Sequence, residues 1–218
     1  MKYDTLIFDL DGTLLDTLDD LTDSLNFSMR ECGYPQRTKD EVRRFVGNGI
    51  GRLVALSVPE GTSRDGLNKA LLAFQSHYIL NCAHKTKPYD GITEMLETAR
   101  SKGFRTAIVS NKIDTAVKAL SKRYFGGLID VAIGERQNVR RKPYPDMVIT
   151  AIQELKAEAE RTIYVGDSEV DIATAQNAAL PCISVSWGFR TPGELAENGA
   201  EMIVNTPEEL IRFLDICE

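Results

Sequence analysis

Apolar and polar positions follow a strand-like and then a helix-like pattern in turn along most of the chain. Short, continuous apolar runs are typical of parallel strands that are buried on both faces. Such runs occur at residues 4–9, 105–110, 129–134, 162–166 and 182–186, with a shorter one at 201–204. Helical patterns separate them. The sequence therefore predicts an α/β fold with a doubly wound, Rossmann-like parallel sheet.

Capping residues mark the ends of several predicted helices. The segment 92–101 carries apolar residues at helical spacing and stops before Gly103. Pro145 opens another helix, because proline suits the first helical turn. Thr206 followed by Glu209 predicts a capping box at the start of the last helix.

One long region, residues 16–83, contains no convincing strand pattern. Its apolar residues repeat at helical spacing, which indicates helices that pack around their own core. The sequence thus predicts two domains, an α/β core formed by 1–15 and 84–218 and a helical domain formed by 16–83. The expected hinges are 14–17 and 83–90.

Composition narrows the choice of partners and location. The 218 residues are 43% hydrophobic and 27% charged, as in an ordinary soluble protein. The net charge of −6 argues against nucleic acid or an anionic membrane as a partner. No apolar stretch approaches the ~20 residues that span a bilayer, and the first residues do not resemble a signal peptide. We therefore expect a cytoplasmic protein.

Cysteine usage agrees with that location. The chain has four cysteines, which are widely scattered and form no CxxC motif. Thiols in a reducing compartment are the expected state. The residues concerned are Cys32, Cys82, Cys182 and Cys217.

Two carboxylates stand at the end of the first predicted strand, in the sequence Asp9-Leu10-Asp11-Gly12-Thr13. Side chains at i and i+2 point the same way along an extended chain. Burying an unpaired acid is costly, so Asp9 and Asp11 should emerge at the carboxyl end of the strand. This arrangement indicates a magnesium site, nucleophilic chemistry, or both. The alternative is an Asp-rich turn that caps the next helix.

Three further polar clusters end or follow predicted strands. In a doubly wound sheet, ligands bind outside the carboxyl ends of the strands, so the clusters should converge on one crevice. They are Ser110-Asn111-Lys112, Lys142-Pro143 and Gly166-Asp167-Ser168-Glu169-Val170-Asp171.

Taken in order, these clusters resemble the four motifs of the haloacid dehalogenase-like hydrolase superfamily, over essentially the whole chain. The resemblance is closest to the phosphoglycolate phosphatase-like branch, at segments 46–49, 85–89 and 187–190. It implies a Mg²⁺-dependent phosphatase with a helical cap inserted after the first motif. None of these features identifies the substrate.

The resemblance also implies a role for each motif residue. Asp9 is expected to be the nucleophile, Asp11 the general acid and base, and Lys142 a positive charge beside them. The carboxylates of Asp9 and Asp167 and the backbone carbonyl of Asp11 are the expected Mg²⁺ ligands. Asp171 is expected to belong to the metal site through Lys142 or the ion's waters; the alternative is an acid that favours a helix N-terminus.

Substrate contacts are expected from a wider set of residues. Gly12, Ser110 and Asn111 would hold phosphate oxygens, while a glycine-containing loop of the cap and two cations would read the rest of the substrate. For the loop and the cations the alternatives are an ordinary helix–helix turn and solvated charges. The residues in this second group are Asn48, Gly49, Arg52, Lys112 and Arg190.

The sequence departs from the family pattern at Arg140 and Arg141, where we expect a proline directly before the lysine. These arginines either add to an anion-attracting field or face solvent.

The sequence as a whole predicts a phosphomonoesterase for a small phosphorylated metabolite, with phosphoglycolate as the leading candidate. A phosphoglucomutase-like phosphotransferase and a pyrophosphatase remain open, as does a non-enzymatic domain that stores phosphate on an aspartate. Asp11, Lys142 and the predicted cap disfavour the last of these.

Overall fold

The computed structural model describes residues 2–216. The chain divides into two compact units, one formed by residues up to 15 together with 88 onward, the other by 16–87. The division therefore falls after Lys87, whereas the sequence suggested a boundary after residue 83. Within residues 2–216, no helix is both long and apolar enough to cross a bilayer. The cytoplasmic location stays a prediction.

The strands and helices alternate as an α/β fold requires. The strands are β1 (Thr5–Phe8), β2 (Leu15–Asp16), β3 (Lys87–Pro88), β4 (Arg105–Ile113), β5 (Val131–Glu135), β6 (Thr162–Gly166), β7 (Cys182–Val185) and β8 (Ile203–Val204). The helices are α1 (Leu18–Glu31), α2 (Lys39–Phe45), α3 (Gly49–Ser57), α4 (Arg64–Asn81), α5 (Ile92–Ser101), α6 (Asp114–Phe125), α7 (Asp146–Leu155), α8 (Glu169–Asn177), α9 (Pro192–Glu197) and α10 (Pro207–Ile216).

The first unit is built on a six-stranded parallel sheet with the order β5-β4-β1-β6-β7-β8. Thr5 of β1 lies opposite Arg105 of β4 on one side and Thr162 of β6 on the other. A strand in this central position is covered on both faces, which explains why Leu6 and Ile7 are fully buried and why β1 reads as one apolar run. The predicted doubly wound α/β fold is confirmed.

Strand β4 is longer than the predicted 105–110 segment and continues to Ile113. Its pairing with β5 shifts register between Val109 and Ile113. Residues Ser110 to Lys112 are polar but nearly inaccessible to solvent. The prediction from apolar runs stops where the polar residues begin. In the structure these polar residues have partners within the fold, and the extended backbone continues to Ile113.

The ends of the helices follow the predicted signals with one difference. Helix α5 has the predicted bounds, and Pro145 directly precedes α7. At α10, Thr206 Oγ1 accepts the Glu209 N–H at 3.3 Å, but the Glu209 carboxylate accepts the Asn205 N–H at 2.7 Å. The predicted capping box is therefore only half formed, and the return bond is displaced by one residue.

The second unit is helical, with α1 packed against α4. Leu25, Met29 and Phe74 are fully buried, and the Phe74 and Tyr78 rings stack with their centroids 5.3 Å apart. The apolar stripes in this segment are therefore core, as expected. The helical conformation is interrupted between α2 and α3 at Gly47, whose positive φ of 126° favours glycine.

A buried aspartate ties the end of the second unit to its first helix. Asp20, in the first turn of α1, accepts the backbone N–H groups of His84, Lys85 and Thr86 at 2.9–3.0 Å. It also accepts the Thr86 hydroxyl at 2.8 Å. Four donors satisfy this carboxylate and fix the path of the predicted hinge segment.

The described cysteines form no disulfide with one another: Cys32, Cys82 and Cys182 are each partly accessible to solvent. Cys217 lies outside the described residues.

Candidate active site

The candidate site lies in the first unit, at the carboxyl edge of its sheet. Asp9 directly follows β1, Ser110 lies near the end of β4, and Asp167 directly follows β6. Lys142 lies in the connection between β5 and α7. Parallel strands bring their carboxyl ends to one edge, so residues more than a hundred positions apart meet there.

Lys142 occupies the centre of the buried charges. Its Nζ lies 2.8 Å from Asp9 Oδ1 and 2.7 Å from Asp171 Oδ1, and it donates to the Tyr164 hydroxyl at 3.2 Å. Burial disfavours the charged form of Lys142, but the charges of Asp171 and Asp9 outweigh that effect and raise its pKa. Lys142 is therefore a permanent cation at neutral pH.

The aspartates form a buried cluster with more negative charge than Lys142 neutralises. Carboxylate oxygens of Asp9, Asp167 and Asp171 all lie within 4.8 Å of one another. Burial raises the pKa of Asp9 to about 7 against the opposing charge of Lys142, and the charge of Asp171 adds to the rise. Burial, together with the charges of Asp171 and Asp9, also holds the pKa of Asp167 well above its usual range. The cluster could hold a metal ion.

Asp171 shows both arrangements that the sequence left open. Its Oδ1 accepts Lys142 Nζ and, at 3.0 Å, the Tyr164 hydroxyl. Its Oδ2 accepts the backbone N–H of Ser168 at 3.1 Å and the Ser168 hydroxyl at 2.6 Å, and so caps α8. One carboxylate thus orients the lysine and begins the helix.

Asp167 is held by two segments of the chain, the turn after β1 and the segment after β7. Thr13 Oγ1 donates to its Oδ1 at 3.1 Å, and the Phe189 N–H donates to its Oδ2 at 2.8 Å. A Cβ at Gly12 or at Gly188 would collide with the Asp167 side chain. Both glycines therefore serve close packing around this carboxylate, and at Gly12 the positive φ of 90° also favours glycine.

The segment after β7 reaches the site through contacts of Trp187, Gly188 and Phe189 that the sequence did not predict. Trp187 Nε1 donates to the Thr13 carbonyl at 2.9 Å, which fastens this segment to the turn after β1. Arg190, predicted as a substrate contact, binds both oxygens of Glu169 at 2.8 and 3.0 Å. The Trp187–Arg190 motif indicated a family branch, and of its residues only Arg190 was predicted to make a contact.

At the end of β4, the three polar residues have different neighbours. The Asn111 amide donates to the Lys142 carbonyl at 3.1 Å and so fixes the loop that carries the lysine. Ser110 Oγ accepts the Lys112 N–H at 3.4 Å. Lys112 Nζ binds both oxygens of Asp11, at 2.8 and 3.0 Å.

An aspartate-bearing turn, a buried lysine and an acidic cluster lie together at this edge of the sheet. The family described as Haloacid dehalogenase-like hydrolase matches residues 6–185. The chain belongs to this family.

Full-length relatives of this haloacid dehalogenase-like hydrolase have phosphatase names. A phosphoglycolate phosphatase from Aquifex aeolicus is 30% identical over 96% of each chain. An N-acetylmuramic acid 6-phosphate phosphatase from Pseudomonas aeruginosa is 29% identical over 100% of this chain and 98% of its own. A crystal structure from Lactobacillus delbrueckii, provisionally named a phosphoglycolate phosphatase, is 36% identical with a TM-score of 0.94, over 98% of this chain and 99% of that one.

Three predicted site residues of the hydrolase belong to the second unit. Asn48 directly precedes α3 and makes no side-chain cap to it, Gly49 is the first residue of that helix, and Arg52 is exposed on it. The part that these residues were predicted to play in substrate binding stays a prediction.

The two arginines that depart from the family pattern form surface ion pairs. Arg140 binds Asp146 at 2.9 Å, and its guanidinium lies 4.5 Å from the centre of the Tyr144 ring. Arg141 lies 3.8 Å from Glu135. Each guanidinium therefore has an acidic neighbour, and neither contact involves the aspartates of the site.

Gly188→Ala tests the packing around Asp167. We expect the free energy of unfolding to fall by about 1–3 kcal/mol, because the added methyl group collides with Asp167 and with the Gly12 carbonyl. Urea denaturation measures the change. Gly193→Ala is the matched control, since a Cβ there meets only Thr191 Oγ1 at 4.0 Å. Equal stability of the two variants would contradict the assignment.

Proposed function

We propose that this protein is a Mg²⁺-dependent phosphomonoesterase that acts through an aspartyl-phosphate on a small phosphorylated metabolite, with phosphoglycolate as the first candidate. The observation that carries the proposal is that Lys142 Nζ lies between Asp9 and Asp171, whose carboxylates cluster with that of Asp167 at the carboxyl edge of the sheet. A cation held among carboxylates suits transfer of an anionic phosphoryl group, in which charge must be neutralised on both reactants.

In the first half of the reaction, a carboxylate oxygen of Asp9 attacks phosphorus and the bond from phosphorus to the ester oxygen breaks. Asp11 protonates the leaving alkoxide. Lys142 neutralises charge on Asp9 and on the phosphoryl oxygens, and Asp171 and Tyr164 fix its direction. Ser110 and Asn111 are proposed to hold the phosphate, through backbone N–H groups and the serine hydroxyl. The predicted contact from Gly12 is not part of the proposal, because the Gly12 N–H donates to the Leu15 carbonyl at 2.9 Å.

In the second half, water attacks the aspartyl-phosphate and Asp11 accepts the proton. The bond from phosphorus to the Asp9 oxygen breaks, which restores the carboxylate and releases phosphate. Asp11 therefore begins the first half of the reaction protonated and the second half ionised.

The donor set fits a divalent cation. The buried carboxylates of Asp9, Asp167 and Asp171 have one ammonium group, that of Lys142, among them, while Asp11 is paired with Lys112. Burial and mutual repulsion raise the pKa values of Asp9 and Asp167, and a bound cation would oppose both effects. Oxygen ligands of this kind suit Mg²⁺. Asp9, Asp167 and the Asp11 carbonyl would hold the ion, and Asp171 would act through Lys142 or the ion's waters. Bound there, Mg²⁺ would supply charge neutralisation between Asp9 and the phosphoryl group.

Substrate choice is proposed to depend on both units. The relatives support a small phosphorylated metabolite, and their names divide between phosphoglycolate and a sugar phosphate. We propose that the helical unit is a cap, with Asn48, Gly49 and Arg52 as its contacts to the leaving group. In the first unit, Lys112 and Arg190 are the cations proposed to face the substrate.

Release of inorganic phosphate from a panel of phosphate compounds tests the proposal. We expect turnover of phosphoglycolate that exceeds turnover of N-acetylmuramate 6-phosphate and of a plain aryl phosphate. A mutase would interconvert glucose 1-phosphate and glucose 6-phosphate with little phosphate release, and a pyrophosphatase would favour pyrophosphate. Stable phosphorylation of the protein without turnover of any compound would indicate a phospho-acceptor domain instead.

A further inference from the structure

Lys112 and Asp11 form an ion pair that is nearly closed to solvent. The ammonium group binds both carboxylate oxygens, at 2.8 and 3.0 Å. The Lys112 side chain is 3% exposed and that of Asp11 is 16% exposed. A charge-assisted pair with two short contacts and little water around it restricts the direction of the carboxylate. We refer to this contact as the resting pair.

The resting pair conflicts with the role proposed for Asp11. To transfer a proton, a carboxylate oxygen must lie within hydrogen-bond reach of the ester oxygen. In the resting pair both oxygens of Asp11 bind the Lys112 ammonium, so neither is directed at a leaving group. The ammonium has only donors and cannot take the place of Asp11 as the base in the second half of the reaction. Asp11 must therefore leave Lys112 with at least one oxygen and take up a proton from water, and it can then pass that proton to the leaving oxygen.

An anionic group on the leaving side of the substrate would compete for the same ammonium. Asp11 is proposed to protonate the ester oxygen. A substrate group that reaches Lys112, the partner of Asp11, must therefore lie on the leaving group and away from the transferred phosphate. Lys142 cannot serve this purpose, because Asp9 and Asp171 already engage it.

We propose that Lys112 holds Asp11 in an inactive position until a carboxylate of the substrate displaces it. Lys112 is then a positioning residue that couples recognition of the substrate's second anionic group to proton transfer. The inference rests on the proposed phosphomonoesterase activity and deepens it, since it assigns the substrate class: short phosphate monoesters with a carboxylate close to the ester oxygen.

Two substrates of equal shape test this coupling, phosphoglycolate and its neutral amide, 2-phosphoglycolamide. In the wild-type protein, phosphoglycolate should have the higher kcat as well as the lower KM, because its carboxylate releases Asp11. A residue that only binds the carboxylate would change KM and leave kcat alike for the two substrates.

Lys112→Met should slow the reaction of phosphoglycolate and speed that of the amide. We expect kcat/KM for phosphoglycolate to fall roughly a hundredfold, because its carboxylate loses a charged partner. We expect kcat for 2-phosphoglycolamide to rise about tenfold, because Asp11 is no longer held. Lys112→Arg keeps the charge and should keep the preference for phosphoglycolate.

Lys118→Met is the matched control, since it removes a lysine that binds an aspartate, Asp114, at 2.7 Å on the surface. This variant should change neither kcat nor KM for either substrate. Melting temperatures report whether each variant folds, and the kcat comparison in the wild-type protein stands even if Lys112→Met does not fold.

The inference is overturned if kcat is alike for the two substrates in the wild-type protein, or if kcat for the amide stays level or falls in folded Lys112→Met. Phosphate release by the wild-type protein in those cases would leave the proposed function intact. A wild-type protein that hydrolyses neither substrate would overturn both.

Discussion

Asp9→Asn should lower phosphatase turnover by more than about 10⁴-fold, because an amide cannot attack phosphorus and no covalent intermediate forms. The variant should also fail to gain the mass of one phosphoryl group when it is mixed with substrate and quenched in acid. The side chain keeps its shape, so the loss would report chemistry and not the shape of the site.

The stability of the same variant separates chemistry from folding. Burial raises the pKa of Asp9 to about 7, so the charged form is disfavoured in the folded protein. Such a group costs stability as the pH rises from its unfolded pKa of about 4 toward 7. In the metal-free protein, removal of this charge should not lower the melting temperature at pH 8. Asp19→Asn, at an exposed aspartate paired with Lys39, is the control that should keep full turnover. Substantial turnover in Asp9→Asn would refute the covalent mechanism.

The fold and the centre of the site could be predicted because they depend on local patterns. Each buried parallel strand reads as one apolar run, and the motif residues stand next to those runs, so their convergence follows from the general geometry of a doubly wound sheet. Asp9 and Asp167 are each placed this way, at the ends of β1 and β6.

The partners of individual charged groups could not be predicted, because they depend on distances between segments remote in sequence. Lys112 meets Asp11 across 101 positions, and Thr13 meets Asp167 across 154. Residue types do not distinguish a cation that awaits a substrate from one that already binds a carboxylate. Arg190 illustrates the difficulty, since a substrate contact was predicted and the structure shows a pair with Glu169.

Close packing was equally hidden in the sequence. Gly188 has no unusual backbone angle to mark it, and its importance is visible only when the neighbouring Asp167 and the Gly12 carbonyl are in place. The end of β4 was missed for a related reason. Polar residues normally end a buried strand, and only the tertiary structure shows that Asn111 binds the Lys142 carbonyl and that Lys112 binds the partly buried Asp11.

Removal of divalent cations with a chelator should lower turnover by on the order of a thousandfold, and Mg²⁺ should restore it. The reason is the acidic cluster, where three carboxylates have only the ammonium of Lys142 among them and would have to meet an anionic substrate. Calcium should inhibit, because its larger and looser ligand shell can bind both oxygens of Asp9 and spoil the in-line attack.

A readout without turnover makes the assignment of ligands specific. Mg²⁺ that binds only the folded protein raises its melting temperature with concentration. Asp167→Asn should weaken that rise, because Asp167 is held in the cluster by Thr13 and Phe189 and would bind the ion directly. Asp130→Asn, at a carboxylate that binds the backbone of β4 away from the cluster, should leave the rise unchanged. Full turnover in excess chelator, or an equal rise in all three proteins, would show that the buried aspartates hold no catalytic cation.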